Sequence, residues 1–325
     1  MIPLARISKA CRSYLAGRPL LCSWQVTMRC NFKCGFCSYW KKSPDAPELS
    51  IADFKAGAGK LDEMGVSFIS IAGGEPFMRA DLPEIIKALS QRHLTVLITN
   101  GWLVSRKKAR EVFKSGLTGV SVSIDFPDAK SHDSQRGVEG AFERAVRALE
   151  FFTEERTEPY QRVNLFCVLN RRNIEHIEEL ILLADGLGVS FMLQPYCPMK
   201  NNDASFKLDS KTSARLWALQ RKYPNFRSNP EYLRRIDEYI AGGVPSCRAG
   251  KSFLNIDSYG NISKCVEAER NIGNIQSLTA GDIAKRLRTE HAKNKCQACW
   301  YNCRGEIESM HTIRGLAGAL SWLKP

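Results

Sequence analysis

Short apolar runs alternate with longer amphipathic segments through the middle of this chain, and this alternation constrains the fold more than any other feature. The apolar runs have the length of strands, and the amphipathic segments have helical spacing. We expect strands at residues 20–27, 66–71, 94–98, 119–124, 162–169 and 190–193, with helices at 50–64, 82–92, 105–115, 140–154 and 174–187. Strands that alternate with helices in this way indicate a parallel sheet with helices outside it. Six such units predict an α/β fold, specifically a partial (β/α)6 TIM-like barrel.

The alternation ends near residue 200, and the remaining sequence has a different character. Helical spacing occurs at 210–223 and 230–240, whereas the runs 253–256 and 261–264 flank a Ser-Tyr-Gly turn that is typical of a hairpin. We therefore expect four regions: an N-terminal amphipathic helix at 1–19, the barrel at 20–200, a helical connector at 201–243, and a small cysteine-rich β-hairpin/helix extension at 244–325.

Composition narrows the class of protein. The 325 residues carry a net charge of +13 and include twelve cysteines. No apolar run reaches the ~18 residues of a membrane span, and residues 1–18 lack the apolar core of a secretory signal. Many cysteines without export indicate metal sites in a reducing compartment, so we expect a cytoplasmic protein. The positive charge would suit acidic partners, but no long Lys/Arg block is present and no nucleic acid partner is expected.

Three cysteines directly after the first expected strand form the most distinctive local motif. Cys30, Cys34 and Cys37 fall within eight residues, so one loop can wrap three thiolates around a single metal centre. Thiolates favour iron–sulfur clusters, zinc or copper(I). Residues 27–40 contain no His, Asp or Glu that could act as a fourth ligand. Three ligands leave one coordination position open, which is typical of a reactive centre rather than a structural one.

The spacing CX3CX2C, with Phe36 before the last cysteine, resembles the signature of the radical S-adenosylmethionine (radical SAM) enzymes. The resemblance extends over residues 20–194, about half of the chain. It implies that the three cysteines hold a [4Fe–4S] cluster whose fourth iron binds SAM. In that family an electron from the cluster cleaves SAM, and the resulting 5′-deoxyadenosyl radical removes a hydrogen atom from a substrate.

The same resemblance implies SAM-binding residues at the ends of later strands. Residues 73–76 resemble the family's GGEP element, which binds the SAM amino group. Polar residues at two later strand ends resemble ribose and carboxylate contacts, and the arginine of an HDxxRG-like segment resembles a partner of the SAM carboxylate. The implied cofactor-binding residues are Gly73, Gly74, Glu75, Pro76, Asn100, Ser123, Asp125 and Arg136.

A second cysteine group lies in the C-terminal region. Four thiolates from a hairpin base and a later CX2C pair would form a closed site, and their spacing alone permits structural zinc. The order Cys-X12-Gly-X4-Cys also resembles the opening of the SPASM/twitch extension, which holds auxiliary [4Fe–4S] clusters. Five cysteines rather than seven favour the twitch type with one auxiliary cluster. The expected ligands are four of Cys247, Cys265, Cys296, Cys299 and Cys303, with Cys303 able to replace one of the other four.

These resemblances predict an enzyme that oxidises or modifies a small molecule or a peptide, with a reductant such as flavodoxin or ferredoxin as partner. Two alternatives stay open. One is a non-catalytic iron–sulfur or zinc scaffold or electron carrier, and the other is a radical SAM transferase that acts on a lipid-like substrate. The basic N-terminal helix and the apolar segment 316–323, which contains Trp322, would allow peripheral membrane contact.

Overall fold

A nine-stranded sheet forms the centre of the computed structural model, which describes residues 3–41, 46–209 and 211–320. The strand order is β6-β5-β4-β3-β2-β1-β7-β8-β9. Pairs from β6 to β7 are parallel, and β8 and β9 are added antiparallel. The sheet of the described residues does not close, so the expected partial α/β barrel is confirmed. Its strands are β1 (Leu21–Thr27), β2 (Phe68–Gly73), β3 (Leu94–Thr99), β4 (Gly119–Ser123), β5 (Arg162–Leu169), β6 (Ser190–Pro195), β7 (Phe253–Ile256), β8 (Asn261–Ser263) and β9 (Gly273–Asn274).

Helices lie between the strands and in the C-terminal region. Those expected between the strands are present, with ends shifted by a few residues. Local sequence explains some ends: α2 starts after Ser50, whose hydroxyl accepts from the Asp53 N–H while the Asp53 carboxylate accepts from the Ser50 N–H. The helices are α1 (Leu4–Leu15), α2 (Ile51–Glu63), α3 (Leu82–Ser90), α4 (Arg106–Lys114), α5 (Ala129–Arg136), α6 (Ala141–Glu154), α7 (Ile177–Gly186), α8 (Ser213–Lys222), α9 (Pro230–Arg234), α10 (Ile236–Gly242), α11 (Ala280–Ala292), α12 (Asn302–Ser309) and α13 (Ile313–Leu320).

Several helices differ from the sequence-based expectation. No helix was expected in the segment that holds the HDxxRG-like motif, but most of it is the helix α5, which Asp128 caps by accepting from the Ser131 N–H. The single helix expected at 230–240 is divided at Arg235 into α9 and α10. The expected start at Ser210, and the C-terminal residues from 321 onward including Trp322, lie outside the described residues.

The two faces of β1 have different chemistry. Cys22, Trp24 and Val26 are fully buried in the main core between the sheet and the outer helices. At the alternate positions, Leu21 packs against Phe253 and Cys247, whereas Ser23 and Gln25 are polar. A register shift between Gln25 and Thr27 interrupts this alternation near the end of the strand.

The C-terminal hairpin continues the barrel sheet. β7 pairs with β1 in parallel, with Leu21 opposite Phe253 and Trp24 opposite Ile256. β8 then runs antiparallel to β7 and returns toward the amino end of β1. Consequently the cysteines that follow β8 lie near the start of β1, whereas the three-cysteine loop follows its end.

Helix α1 packs at the amino edge of the barrel. Arg6 donates from Nη1 to the carbonyl oxygen of His93 at 2.9 Å, and Lys9 Nζ lies 2.5 Å from Asp62 Oδ1. These contacts join α1 to the segments that precede β2 and β3. In the described part of the chain, no helix has the length and apolar character needed to cross a membrane.

Candidate active site

The loop after β1 is held by backbone contacts from the turn after β2. The Gly74 N–H donates to the Thr27 carbonyl oxygen, and the Glu75 N–H donates to the Arg29 carbonyl oxygen, both at 2.8 Å. A Cβ at Gly73 would stand 2.1 Å from the Thr27 oxygen, and one at Gly74 would stand 2.0 Å from the Arg29 oxygen. The two glycines are therefore required by the approach of one backbone segment to another, just before the first cysteine.

Glu75 is buried and accepts three hydrogen bonds. Its Oε1 accepts from the Phe77 N–H at 3.0 Å and from the Thr99 hydroxyl at 2.8 Å, and its Oε2 accepts from the Asn100 N–H at 2.7 Å. Burial raises the pKa of Glu75, which these donors partly oppose. A carboxylate has about four lone-pair positions, so one position stays available for a cationic ligand.

Asn100 connects this network to the cysteine loop. Its Nδ2 donates to Asn31 Oδ1 at 2.9 Å, and its Oδ1 accepts from the Trp102 N–H. Asn31 directly follows Cys30, and its own Nδ2 is buried with no hydrogen-bond partner among the described residues. An unpaired buried donor beside a cysteine is a position where a ligand can accept a hydrogen bond.

The three loop thiols lie close enough to influence one another. Burial raises the pKa of Cys30 to about 12, and the neighbouring Glu75, Cys34 and Cys37 add to the rise. Thiolates in such surroundings need a cation to stabilise them, which a metal centre provides. In the described chain, no three His, Cys, Asp or Glu side chains already stand at metal-binding distances. The loop therefore brings the thiols together without completing a coordination geometry.

Arg136 is a buried cation beside Cys34. Its guanidinium lies 5.1 Å from the centre of the Phe36 ring, and electrostatic contact with it lowers the pKa of Cys34 against the larger effect of burial. Nη2 lies 2.8 Å from Asp125 Oδ2, an ion pair without hydrogen-bond geometry. Nη2 therefore has a carboxylate as its ionic partner, whereas Nε has no hydrogen-bond acceptor among the described residues. The donor capacity left on this buried guanidinium fits a further anionic group.

Asp125 is fully engaged by the protein. Its Oδ1 accepts from the Val168 N–H at 2.9 Å, and its Oδ2 accepts from Gln135 Nε2 at 2.8 Å. His132 Nδ1 accepts from the Asp125 N–H, which makes Nε2–H the neutral tautomer, and burial lowers the pKa of His132 to about 2. Ser123, at the end of β4, lies next to this group with its side chain largely buried. Asp125 therefore orients Arg136.

The C-terminal cysteines converge on one region near the amino end of β1. Burial raises the pKa of Cys303 to about 12, with further rises from Cys265 and Cys247, and raises the pKa of Cys265 to about 11, with contributions from Cys247 and Cys296. Cys299 is influenced by Cys303 and Cys247 in the same way. Cys265, Cys299 and Cys303 line one small cavity together with Ser23 of β1. The five cysteines thus form one group, although they come from three separate segments.

Arg304 supports this group from within. It is fully buried, donates to the carbonyl oxygens of Val244 and Cys299 at 2.6 and 2.7 Å, and pairs with Glu308 at 3.0 Å. Its positive charge lowers the pKa of Cys247 and of Cys299, against the larger effect of burial. A cation held in this position favours thiolates, as a metal site requires.

A polar cluster that sequence reasoning missed lies between the two cysteine groups. Lys200 Nζ is 2.6 Å from Glu267 Oε1 and 4.0 Å from the centre of the Tyr39 ring, and the Tyr301 hydroxyl donates to Glu267 at 3.0 Å. The Tyr39 hydroxyl accepts from Gln25 in the middle of β1. Tyr39 follows the first cysteine group, whereas Glu267 and Tyr301 belong to the second. In the sequence, the only signal for this cluster is that Lys200 lies three residues after Cys197.

Comparison with known proteins identifies the class of enzyme. The family model described as "Radical SAM superfamily" matches residues 24–184. The chain is 28% identical to an AdoMet-dependent heme synthase of Oleidesulfovibrio alaskensis, over 91% of this chain and 81% of that protein. It is 25% identical to the mycofactocin maturase MftC of Mycolicibacterium smegmatis, over 92% of this chain and 80% of that protein.

Solved structures show the same fold over almost the whole chain. Streptococcus suis SuiB bound to its precursor peptide SuiA matches 96% of this chain and 77% of its own, with a TM-score of 0.68 at 17% identity. The structure of anSMEcpe with bound AdoMet and a peptide matches 83% of this chain and 82% of its own, with a TM-score of 0.64 at 18% identity.

The chain is therefore an α/β-barrel enzyme that uses SAM, with a cysteine-rich extension. It belongs to the radical SAM superfamily, as the cysteine motif predicted. Membership brings a [4Fe–4S] cluster and SAM as cofactors.

The close contact at Gly74 gives a direct test of the site. We expect Gly74→Ala to destabilise the chain by about 1–3 kcal/mol, since the new Cβ would overlap the Arg29 carbonyl oxygen. Gly59→Ala is the matched control, because a Cβ on this helical glycine meets no atom within 4 Å. Urea unfolding should show a lower free energy of unfolding for Gly74→Ala. For Gly59→Ala this free energy should be unchanged or up to ~1 kcal/mol higher. Equal stability of the two variants would contradict the packing described here.

The buried ion pair between Lys200 and Glu267 gives a second test. Lys200→Met should lower the free energy of unfolding by about 3 kcal/mol, because the buried Glu267 carboxylate loses its cation. Lys200→Arg should lower the free energy of unfolding much less. The double variant Lys200→Met/Glu267→Gln should recover much of the stability that Lys200→Met loses. Thermal unfolding of the four proteins provides the measurement. A double variant no more stable than Lys200→Met would show that the charge pairing is not what matters.

Proposed function

We propose that Cys30, Cys34 and Cys37 are the ligands of the SAM-binding cluster and that Arg136 binds the SAM carboxylate. The buried Arg136 guanidinium beside Cys34, whose Nε has no hydrogen-bond acceptor among the described residues, carries this proposal. Nε and Nη2 form the side of the guanidinium that receives a carboxylate through two parallel hydrogen bonds. When bound, the cluster and SAM supply the reductive cleavage that generates the hydrogen-abstracting radical, and the residues named here bind and orient SAM.

The remaining predicted residues have distinct roles in this proposal. The free lone-pair position of Glu75 receives the SAM ammonium group, and Asn100 and Ser123 contact the ribose. Asp125 is a positioning residue that acts through Arg136, since its carboxylate already has three partners. Gly73, Gly74 and Pro76 shape the turn rather than contact the ligand through side chains.

Replacement of the Arg136 guanidinium should weaken SAM binding. Charge-assisted hydrogen bonds contribute roughly 1.5–3 kcal/mol each, so Arg136→Gln should raise the dissociation constant of SAM at least tenfold. Calorimetric titration of SAM into the cluster-loaded protein measures the effect. Iron content should stay at the wild-type value, because Arg136 is not a ligand. Unchanged SAM affinity with normal iron content would exclude this role.

We further propose that the C-terminal cysteines hold one auxiliary [4Fe–4S] cluster and that Cys303 is among its ligands. Support comes from its position: Cys303 lies within electrostatic reach of Cys247 and Cys265 and lines the same cavity as Cys299. Cys296 is half-buried and influences Cys265. The fit of four thiols and a buried arginine supports a closed site, which iron or zinc could occupy.

Substitution can show whether Cys303 or Cys296 is a ligand of the auxiliary site. Cys303→Ser should reduce iron bound per chain by about half, from roughly eight atoms to four, whereas Cys296→Ser should have a smaller effect. Iron, sulfide and zinc analysis after anaerobic reconstitution measures both. The isolated Cys22, which is fully buried in the main core, offers a control substitution to Ala that should leave the iron count unchanged. The reverse order of effects would reassign the ligand.

For the reaction, we propose oxidation or modification at a C–H position of a peptide or small molecule that lies between the two cysteine groups. Strand β1 runs between them and spans roughly 13 Å from Ser23 to Thr27, at about 3.3 Å per residue. Similarity to a mycofactocin maturase and to a structure bound to a precursor peptide supports a peptide substrate. In this proposal the chain acts as one unit made of four regions, 1–19, 20–200, 201–243 and 244–325. The last region supplies the auxiliary site.

The reaction type is tested with SAM and reductant. Reduced flavodoxin or dithionite should cause release of 5′-deoxyadenosine from the reconstituted protein, and Cys34→Ala should abolish it. Absence of release with full iron content would favour an electron carrier or scaffold. Mass spectrometry that finds a methyl or adenosyl group attached to a substrate would favour a transferase. We propose that the enzyme acts in the cytoplasm, where its twelve free cysteines stay reduced.

A further inference from the structure

Helix α1 turns its polar side chains toward the protein. Arg6 and Lys9 bind carbonyl and carboxylate groups at the amino edge of the barrel. Ser13 is the buried residue of this helix. A helix that packs on a protein core normally does the opposite and buries its apolar side.

The apolar stripe of α1 faces outward. Leu4, Cys11 and Leu15 lie within about 40° of one another around a helix of 3.6 residues per turn. Leu4 and Leu15 are each 82% exposed, and Cys11 is exposed as well. Leucine side chains so fully exposed along one helical stripe indicate a surface that meets something apolar outside the chain.

A second helix adds to this surface. The Tyr14 ring stacks on His311 with 5.1 Å between ring centres, and the Tyr14 hydroxyl donates to the Met310 carbonyl oxygen at 2.7 Å. Helix α13 starts at Ile313, two residues after His311, and Ile313 is 92% exposed. Leu15, next to Tyr14 in α1, and Ile313, at the start of α13, therefore lie at one corner of the molecule.

Positive charge exceeds negative charge at this corner. The cavity of about 700 Å³ beside it is lined mostly by small and apolar residues, and its charged lining residues include three cations, Arg18, Lys251 and Arg288, and one carboxylate, Glu63. Burial, Arg248 and Lys251 lower the pKa of His311 to about 4. Some surface arginines elsewhere have acidic partners, as Arg110 has in Glu155. In the described ranges, none of the following exposed cations at the corner forms an ion pair: Arg12, Arg18, Lys251, Arg288 and Arg314.

We propose that this corner docks the enzyme onto an anionic lipid bilayer. Exposed aliphatic side chains within a ring of unpaired cations are what a peripheral membrane surface requires, because the apolar groups enter the acyl boundary while the cations attract anionic headgroups. An acidic protein partner would account for the cations but would not need the outward apolar stripe. The corner lies at the amino edge of the barrel, so docking leaves the opposite edge, with Cys30, free. This proposal is independent of the reaction that the enzyme catalyses.

Vesicle flotation of the full, cluster-loaded protein tests the proposal. We expect partition onto phosphatidylcholine vesicles that contain phosphatidylglycerol, a decrease as salt rises, and little partition onto pure phosphatidylcholine. Lys251→Gln and Arg18→Gln should each reduce the partition coefficient about fivefold. The apolar double variant Leu15→Ser/Ile313→Ser should reduce it at least tenfold. Lys55→Gln and Leu182→Ser, which change an exposed cation on α2 and a half-exposed leucine on α7, are the matched controls.

Each result of the flotation experiment either supports or overturns docking onto the membrane. Absence of partition onto the anionic vesicles, or equal losses in the corner variants and the controls, would overturn the proposal. Loss through the charge variants with none through Leu15→Ser/Ile313→Ser would also overturn it, since the corner would then be a basic site for an acidic macromolecule. Iron content and release of 5′-deoxyadenosine should be the same in all variants, so a failure of the proposed chemistry would be recognised separately.

Discussion

The first cysteine site depends on one backbone contact, made where the loop after β1 meets the turn after β2. The two segments approach so closely that Gly73 and Gly74 have no room for a Cβ. This contact sets Glu75 below the loop, and Glu75 in turn orders Asn100, which reaches Asn31 beside Cys30. The position of the first thiol and the position of the carboxylate are therefore coupled, through main-chain hydrogen bonds and through the Asn100 side chain.

Strand β1 relates this site to the second cysteine group. It passes beside the C-terminal cysteines at Ser23 and ends at Thr27, just before the three-cysteine loop. Lys200 and Glu267 lie between the two, where a buried ion pair joins the barrel to the extension. Because β7 pairs with β1, the extension is fixed to the same strand that carries the first site. Two redox centres placed along one strand would keep a constant separation during the reaction.

Local sequence signals were sufficient for much of the fold. The alternation of strands and helices predicted the parallel sheet, and Ser50 marked the start of α2. Signals of the same kind were present but overlooked for α5, which Asp128 caps, and for α11, where Thr279 accepts from the Asp282 N–H. The division at Arg235 has no comparable signal, since the helical spacing continues through it. The packing of the GGEP glycines against the preceding loop could not be read from the motif.

The sequence alone determined the family and the two cysteine groups, because both follow from residue types at short, regular spacings. Tertiary structure decided which partners those residues meet: Arg136 with Asp125 and Cys34, and Lys200 with Glu267. Asp125 and Arg136 are only eleven residues apart, but Cys34 and Glu267 are far in the chain from the residues they meet, so no local pattern encodes those contacts. The same holds for α1, whose periodicity reveals an apolar stripe but not the direction it faces. That direction is set by the polar groups at the edge of the barrel, to which Arg6 and Lys9 bind.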